Sequence, residues 1–105
     1  PILLTHEGIH YLEGEGPPVG LVPDAAYEAI TIQTPDEFIL SVLSDGILEL
    51  LDEKDLLEKE AALLKRLEGS VAKPSELWER LGLDHVDRNH LPDDVAVLFI
   101  SRGLA

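Results

Sequence analysis

Three aspartates stand at the ends of two apolar segments, and carboxylates in such positions can bind a metal ion. Asp45 follows the run FILSVLS, residues 38–44, while Asp93 and Asp94 precede the run VAVLFISR, residues 95–102. If the two runs are strands that pair antiparallel, the carboxylates meet at one edge of the sheet. Carboxylates held close together disfavour each other's ionised form, and a hard cation such as Mn²⁺ or Mg²⁺ neutralises them. The pattern therefore favours a divalent metal site.

Both acidic positions also have explanations that need no metal. An Asp-Gly pair between strands is typical of a tight hairpin, but ILELLDEK, residues 47–54, follows Gly46 with a helical composition and no alternation. A second explanation is that Asp45 caps a short helix by accepting hydrogen bonds from its free amides. For the acidic pair the explanation is a turn after Pro92. The cap and the turn both remain open.

Other polar side chains are weaker candidates for chemistry: His6, His10, His85, His90, Ser41 and Ser44. The first two histidines have the four-residue spacing of a zinc site on a helix, but they flank a predicted hairpin, which favours surface histidines. The other two lie in a polar connection, where they either approach a substrate or remain solvated. Neither serine belongs to a Gly-x-Ser-x-Gly nucleophile elbow.

The elements that position these residues follow an α+β order. Strands are predicted at residues 1–5, 9–13, 27–33, 38–44 and 94–102. A helical pattern covers residues 52–69, and a second helix starts at Pro74, ends at Gly82 and packs Trp78 on the core. Because the helices are grouped before the last strand, the sequence predicts antiparallel strands rather than alternating βαβ units.

Composition and charge exclude several classes of protein. The 105 residues suffice for one domain, and no apolar segment approaches the roughly 20 residues of a membrane helix, so we expect a soluble domain. A net charge of −13 repels nucleic acid and anionic membranes. The absence of Cys fits a reducing, cytoplasmic compartment. A chain that begins with Pro1 and lacks Met is expected to be a piece of a longer protein.

Residues 38–50, FILSVLSDGILEL, and residues 91–102, LPDDVAVLFISR, resemble the C-terminal half of the PP2C (PPM) metal-dependent serine/threonine phosphatases. The resemblance is strongest to the bacterial sporulation and stress-response branch, the SpoIIE/RsbU-like proteins. GPPVGL, residues 16–21, is also similar to the Gly-x-Pro-Leu-Gly loop of that branch, with Val19 in place of Leu. The resemblance implies part of an α-β-β-α sandwich, with residues 1–105 forming a single, partial domain.

The resemblance also implies a role for each acidic residue. Asp45 and Asp93 are implied as metal ligands, Gly46 as the residue that lets the chain turn beside the metal, and Asp94 as a supporting residue. In that family two Mn²⁺ or Mg²⁺ ions hold a water that attacks phosphoserine or phosphothreonine. The family's upstream Asp-x-x-Gly-His motif has no counterpart, because EGIH at residues 7–10 lacks the Asp. The chain is therefore expected to supply only part of the ligands.

Two functions remain open on the sequence. The first is a phosphatase acting on a phosphorylated regulatory protein such as an anti-sigma-factor antagonist. The second is a PP2C-like output or adaptor domain of a response regulator, without turnover, that binds a sigma factor or another partner; the acidic surface favours a basic one. Half of a sandwich would expose an apolar sheet face, so we also expect the isolated chain either to form homo-oligomers or to lack a partner segment that covers this face.

Overall fold

Four antiparallel strands form one sheet in the order β2-β1-β3-β4. The computed structural model describes residues 1–14, 16, 19–71, 73–87, 89 and 91–103. The strands are β1 (Ile2–Thr5), β2 (Gly8–Tyr11), β3 (Phe38–Leu43) and β4 (Val97–Arg102). All helices of the described residues lie between β3 and β4 in the chain. The predicted α+β fold with grouped helices is confirmed.

β1 and β2 form the predicted hairpin, with Thr5 opposite Gly8. Gly8 has a φ of 145°, a conformation that side chains disfavour, so glycine suits the end of this tight turn. β3 lies in the interior of the sheet, paired with β1 on one side and β4 on the other. Its nearly continuous apolar sequence fits this position, and Ile39 is 0% exposed.

Two α-helices and two short 3-10 segments connect β3 to β4: a short helix (Asp45–Leu50), α1 (Leu56–Leu67), α2 (Pro74–Arg80) and a turn (Leu83–His85). The first helix was expected to begin at Asp52, but α1 begins after Asp55. Asp55 is the N-cap and accepts a hydrogen bond from the Glu58 backbone N–H at 2.8 Å. α2 begins at Pro74 as predicted, and Gly82 follows it in the left-handed conformation.

The core lies between one face of the sheet and the two α-helices. It contains side chains from the strands, the short helix and both α-helices, including Ile2, Leu4, Ile39, Ile47, Leu63, Leu67, Leu77 and Leu81. Trp78 packs against this cluster, as the sequence predicted. Leu77 is 0% exposed, and truncating a leucine of this kind to alanine typically costs about 2–5 kcal/mol. The helices are therefore held to the sheet mainly by apolar burial.

The strand predicted at residues 27–33 is wrong. This segment has no regular secondary structure, and Tyr27, Ile30 and Ile32 are 50%, 60% and 43% exposed. Its alternation is only partial, and both sides of β1 and of β3 are already paired. The segment runs past β2, where Ile30 and Ile32 line open clefts with His10 and Leu12. Apolar content with only partial alternation did not add a strand to the sheet, although β2 is an edge strand.

The face of the sheet opposite the helices is apolar and exposed at its β3–β4 side. The register pairs Val42 with Leu98 and Leu40 with Ile100 on this face. Val42, Leu98 and Ile100 are 39%, 57% and 46% exposed. The uncovered face that the sequence led us to expect is therefore present in the described part of the chain. No helix among the described residues has the length and apolar character needed to cross a membrane.

Candidate metal site at the strand ends

The end of β3 and the start of β4 are joined beyond the last ladder pair. Leu43 faces Val97 in the register, and the Ser44 backbone N–H then donates to the Ala96 carbonyl oxygen at 2.9 Å. The Ala96 N–H donates in turn to the Ser44 Oγ at 2.8 Å. These two bonds bring the residues after β3 and the residues before β4 to the same edge of the sheet. The sequence prediction about the strand ends is correct in this respect.

Gly46 lies directly against the backbone of Asp94. A Cβ atom added to Gly46 would lie 1.9 Å from the Asp94 carbonyl oxygen and 2.8 Å from its carbonyl carbon. Real Cβ atoms essentially never come within 3.0 Å of such atoms, so only glycine fits at this position. Gly46 is not among the glycines with positive φ. Its role is to allow close approach of two backbones, whereas the resemblance implied a turn.

The three predicted aspartates are exposed to solvent at this edge. Asp45 lies in the first turn of the short helix, whose N-cap is Ser44, and the Ser44 side chain accepts no capping hydrogen bond from that helix. The alternative in which Asp45 caps the helix is therefore wrong. Asp93 accepts a hydrogen bond at Oδ1 from the backbone N–H of the next residue, Asp94, at 2.8 Å. The chain bends at residues 92 and 93, which is compatible with the alternative of a turn after Pro92.

The chemistry of these side chains fits a hard divalent cation, but their number is small. Exposed carboxylate oxygens are the ligands that Mn²⁺ and Mg²⁺ prefer, and Mg²⁺ is commonly held by one or two carboxylates together with waters and substrate phosphates. Within the described ranges, no group of three or more His, Cys, Asp or Glu side chains is arranged to hold a metal ion. The strand ends can therefore supply part of a ligand set.

The sequence as a whole matches a known family. A family model described as Stage II sporulation protein E (SpoIIE) matches residues 1–103. The chain belongs to the SpoIIE family. This confirms the resemblance to the PP2C-like sporulation branch that the Ser-Asp-Gly and Asp-Asp motifs indicated. No curated protein and no solved structure matches the chain.

His6 lies at the opposite end of the sheet from the strand-end site of this SpoIIE-family chain. His6 is exposed in the β1–β2 turn, and its Nε2 lies 2.5 Å from Oε2 of Glu37, a carboxylate that sequence reasoning missed. His85 is exposed and pairs with Asp84 at 3.3 Å. His90 and residues 17 and 18 of the GPPVGL loop lie outside the described residues. Ser41 is buried at 2% exposure in the sheet and serves packing.

A cleft beside Asp45 is a feature that the sequence did not reveal. Tyr11 donates from its hydroxyl to the backbone carbonyl of Glu60 on α1 at 2.7 Å, across one side of this cleft. Burial, and then the negative charge of Glu60, raise the pKa of the Tyr11 hydroxyl. The only sequence signal was the alternation in IHY, which places Ile9 and Tyr11 on the core face.

Proposed function

We propose that this SpoIIE-family chain is the C-terminal portion of a metal-dependent serine/threonine protein phosphatase. Its substrate would be a phosphorylated regulatory protein, such as an anti-sigma-factor antagonist, in bacterial signalling. The observation that carries the proposal is the close approach of Gly46 to the Asp94 backbone. This contact holds the Ser-Asp-Gly segment and the Asp-Asp segment, the two motifs of the PP2C resemblance, together at one edge of the sheet.

Asp45 and Asp93 are the residues that we assign to Mn²⁺ or Mg²⁺. Because the Asp94 N–H is bonded to Oδ1 of Asp93, we assign Oδ2 to the cation, and Asp94 orients the ligand through its backbone. Gly46 allows the backbones of these two segments to lie close together. When bound, a divalent cation supplies Lewis-acid activation of water and neutralises phosphoryl charge. Such a charge also offsets the −13 net charge that otherwise repels a phosphorylated substrate.

The proposal accounts for the exposed apolar face of the sheet. In an α-β-β-α sandwich a second sheet packs on the face opposite the helices. Val42, Leu98 and Ile100 lie on that face here and are more than a third exposed. We infer that the remaining part of the phosphatase domain covers this face and supplies the ligands that the strand ends lack.

Calorimetric titration of Mn²⁺ tests the assignment of the ligands. We expect Asp45→Asn and Asp93→Asn each to weaken Mn²⁺ binding by about tenfold or more, because each replaces a charged oxygen ligand by a neutral amide. Asp36→Asn is the matched control, since Asp36 is exposed and precedes β3 at the opposite end of the sheet. Equal affinity in all four proteins would refute the assignment.

Turnover is measured separately, with the full-length protein that carries this chain and a phosphoserine peptide as substrate. We expect Mn²⁺-dependent hydrolysis that Asp45→Asn abolishes and Asp36→Asn leaves unchanged. An undiminished rate in Asp45→Asn contradicts the proposed role of Asp45. Absence of both Mn²⁺ binding and turnover would instead favour a non-catalytic adaptor domain.

A further inference from the structure

A cleft opens between the short helix and α1, next to β3. Its volume is about 150 Å³, and its apolar wall includes Leu43, Leu48 and Leu63. Apolar cavities of roughly this volume accept a group the size of benzene. The cleft therefore has room for one aliphatic side chain from outside the domain.

The apolar wall continues along α1 beyond the cleft. Leu56, Glu60 and Leu63 are spaced i, i+4 and i+7, so they lie on the same face of the helix. Glu60 and Leu63 line the cleft, and Leu56, one turn before them, is 58% exposed. The i, i+4 spacing places Leu56 next to Glu60 on this face, and we call the cleft together with Leu56 the α1 groove.

The α1 groove has a negatively charged border. Asp45 and Glu60 lie on the wall of the cleft. Residues 45–60 contain seven carboxylates and two lysines, so the surrounding surface is acidic. The raised pKa of the Tyr11 hydroxyl, caused by burial and then by Glu60, is consistent with negative potential at this position. An apolar floor with an acidic border is complementary to a basic, aliphatic ligand.

We propose that the α1 groove binds a segment of a partner protein in which an aliphatic side chain is flanked by lysine or arginine. The aliphatic side chain enters the cleft, and the basic side chains face Asp45 and Glu60. A second copy of this chain does not fit the groove, because each chain carries a net charge of −13 and the two acidic surfaces would repel. The inference goes beyond the phosphatase proposal; the two share Asp45, and Glu60 faces the basic side chains whether or not Asp45 holds a cation.

Fluorescence anisotropy with short labelled peptides tests the proposal. The probe has a central leucine between lysines, and two comparison peptides replace the leucine by serine or the lysines by glutamates. We expect the unchanged chain to bind the first peptide, to bind the other two at least about tenfold more weakly, and to lose affinity as NaCl is raised. These comparisons need no substitution in the chain, so they remain informative if a variant fails to fold.

Matched variants locate the binding site. Leu56→Glu is paired with Leu98→Glu, because the two leucines are 58% and 57% exposed but lie on different surfaces. Glu60→Lys is paired with Glu79→Lys on α2, which makes the same change of charge at an exposed position. We expect the two groove variants to weaken binding by about tenfold and the two controls by less than about twofold. Glu60→Lys should also bind the glutamate peptide better than the unchanged chain does.

Three outcomes would overturn the proposal. The first is that none of the peptides binds. The second is that the groove variants and their controls bind alike. The third is that Leu98→Glu, rather than Leu56→Glu, abolishes binding, which would place the peptide on the exposed face of the sheet.

Discussion

Replacing Gly46 by alanine tests whether the contact with Asp94 holds the strand ends together. The new Cβ would lie 1.9 Å from a carbonyl oxygen, and that oxygen belongs to the backbone rather than to a flexible side chain. Because such contacts essentially never fall below 3.0 Å, the two backbones must separate by about 1 Å, and a packed interior resists this. The substitution therefore strains the junction between β3 and β4.

The loss of stability can be estimated from the contacts at this junction. Introducing extra methyl groups into a packed region typically costs about 1–3 kcal/mol. Separation also strains the two hydrogen bonds between Ser44 and Ala96, each of which contributes about 0.5–1.5 kcal/mol. We expect Gly46→Ala to lower the free energy of unfolding by about 2–4 kcal/mol.

Gly14→Ala is the control, because a Cβ added to Gly14 meets no atom within 4 Å and its φ is not positive. At that position alanine reduces the flexibility of the unfolded chain without strain in the folded state. We therefore expect Gly14→Ala to leave the free energy of unfolding unchanged or to raise it by about 0.4–1 kcal/mol. Urea unfolding followed by circular dichroism compares the two variants. If Gly46→Ala proves as stable as Gly14→Ala, the close approach does not hold the strand ends together, and the support that it gives to the metal-site proposal is lost.

Two further predictions concern Tyr11 and the sheet face. The raised pKa of Tyr11 means that the folded state favours the neutral hydroxyl. The stability that this hydroxyl contributes is therefore fully present below the ordinary tyrosine pKa of about 10, and it is lost as pH rises through the pKa of the folded state. Tyr11→Phe should lower the free energy of unfolding at neutral pH by about 1 kcal/mol, because the hydrogen bond to Glu60 is lost. The variant should also lose less stability than the unchanged chain as the pH becomes alkaline. If the urea midpoints of the two proteins change in parallel with pH, this prediction is contradicted. The isolated chain should self-associate through its exposed sheet face, and light scattering measures this association. Leu98→Lys should shift the chain toward the monomer. If the unchanged chain is already a monomer, the prediction is contradicted.

The strand ends could be predicted because their signals are local. A nearly continuous apolar run and an acidic turn at its boundary identify β3 and β4, and antiparallel pairing then brings the turns together. The reason for Gly46 could not be predicted in the same way, since it depends on a contact with Asp94 far along the chain. The sequence shows that a glycine follows Asp45, but only the folded structure shows which backbone it must accommodate.

The segment at residues 27–33 shows why strand patterns are less reliable than helix patterns. α1 has its own signals, an acidic start and an apolar face, and the sequence predicted its beginning at Asp52, three residues before the Asp55 N-cap that the structure shows. A strand needs a partner edge, and the order β2-β1-β3-β4 leaves the outer edges of β2 and β4 as the places where a further strand could be added to this sheet. That order arises from long-range pairing, which the composition of residues 27–33 does not encode.

The acidic residues in the described part of the chain lie outside its strands. The surfaces of the domain therefore differ in the kind of partner that they can bind. The four strands of the described residues contain no Asp or Glu, although the chain has 21 acidic residues. The exposed sheet face can therefore pack against a neutral, apolar surface, even one that belongs to another acidic chain. The strand-end edge and the α1 groove concentrate carboxylates, so their charge favours a cation or a basic segment over an acidic partner. A protein that binds a divalent metal and a basic partner while packing a second sheet on its apolar face would use all three surfaces.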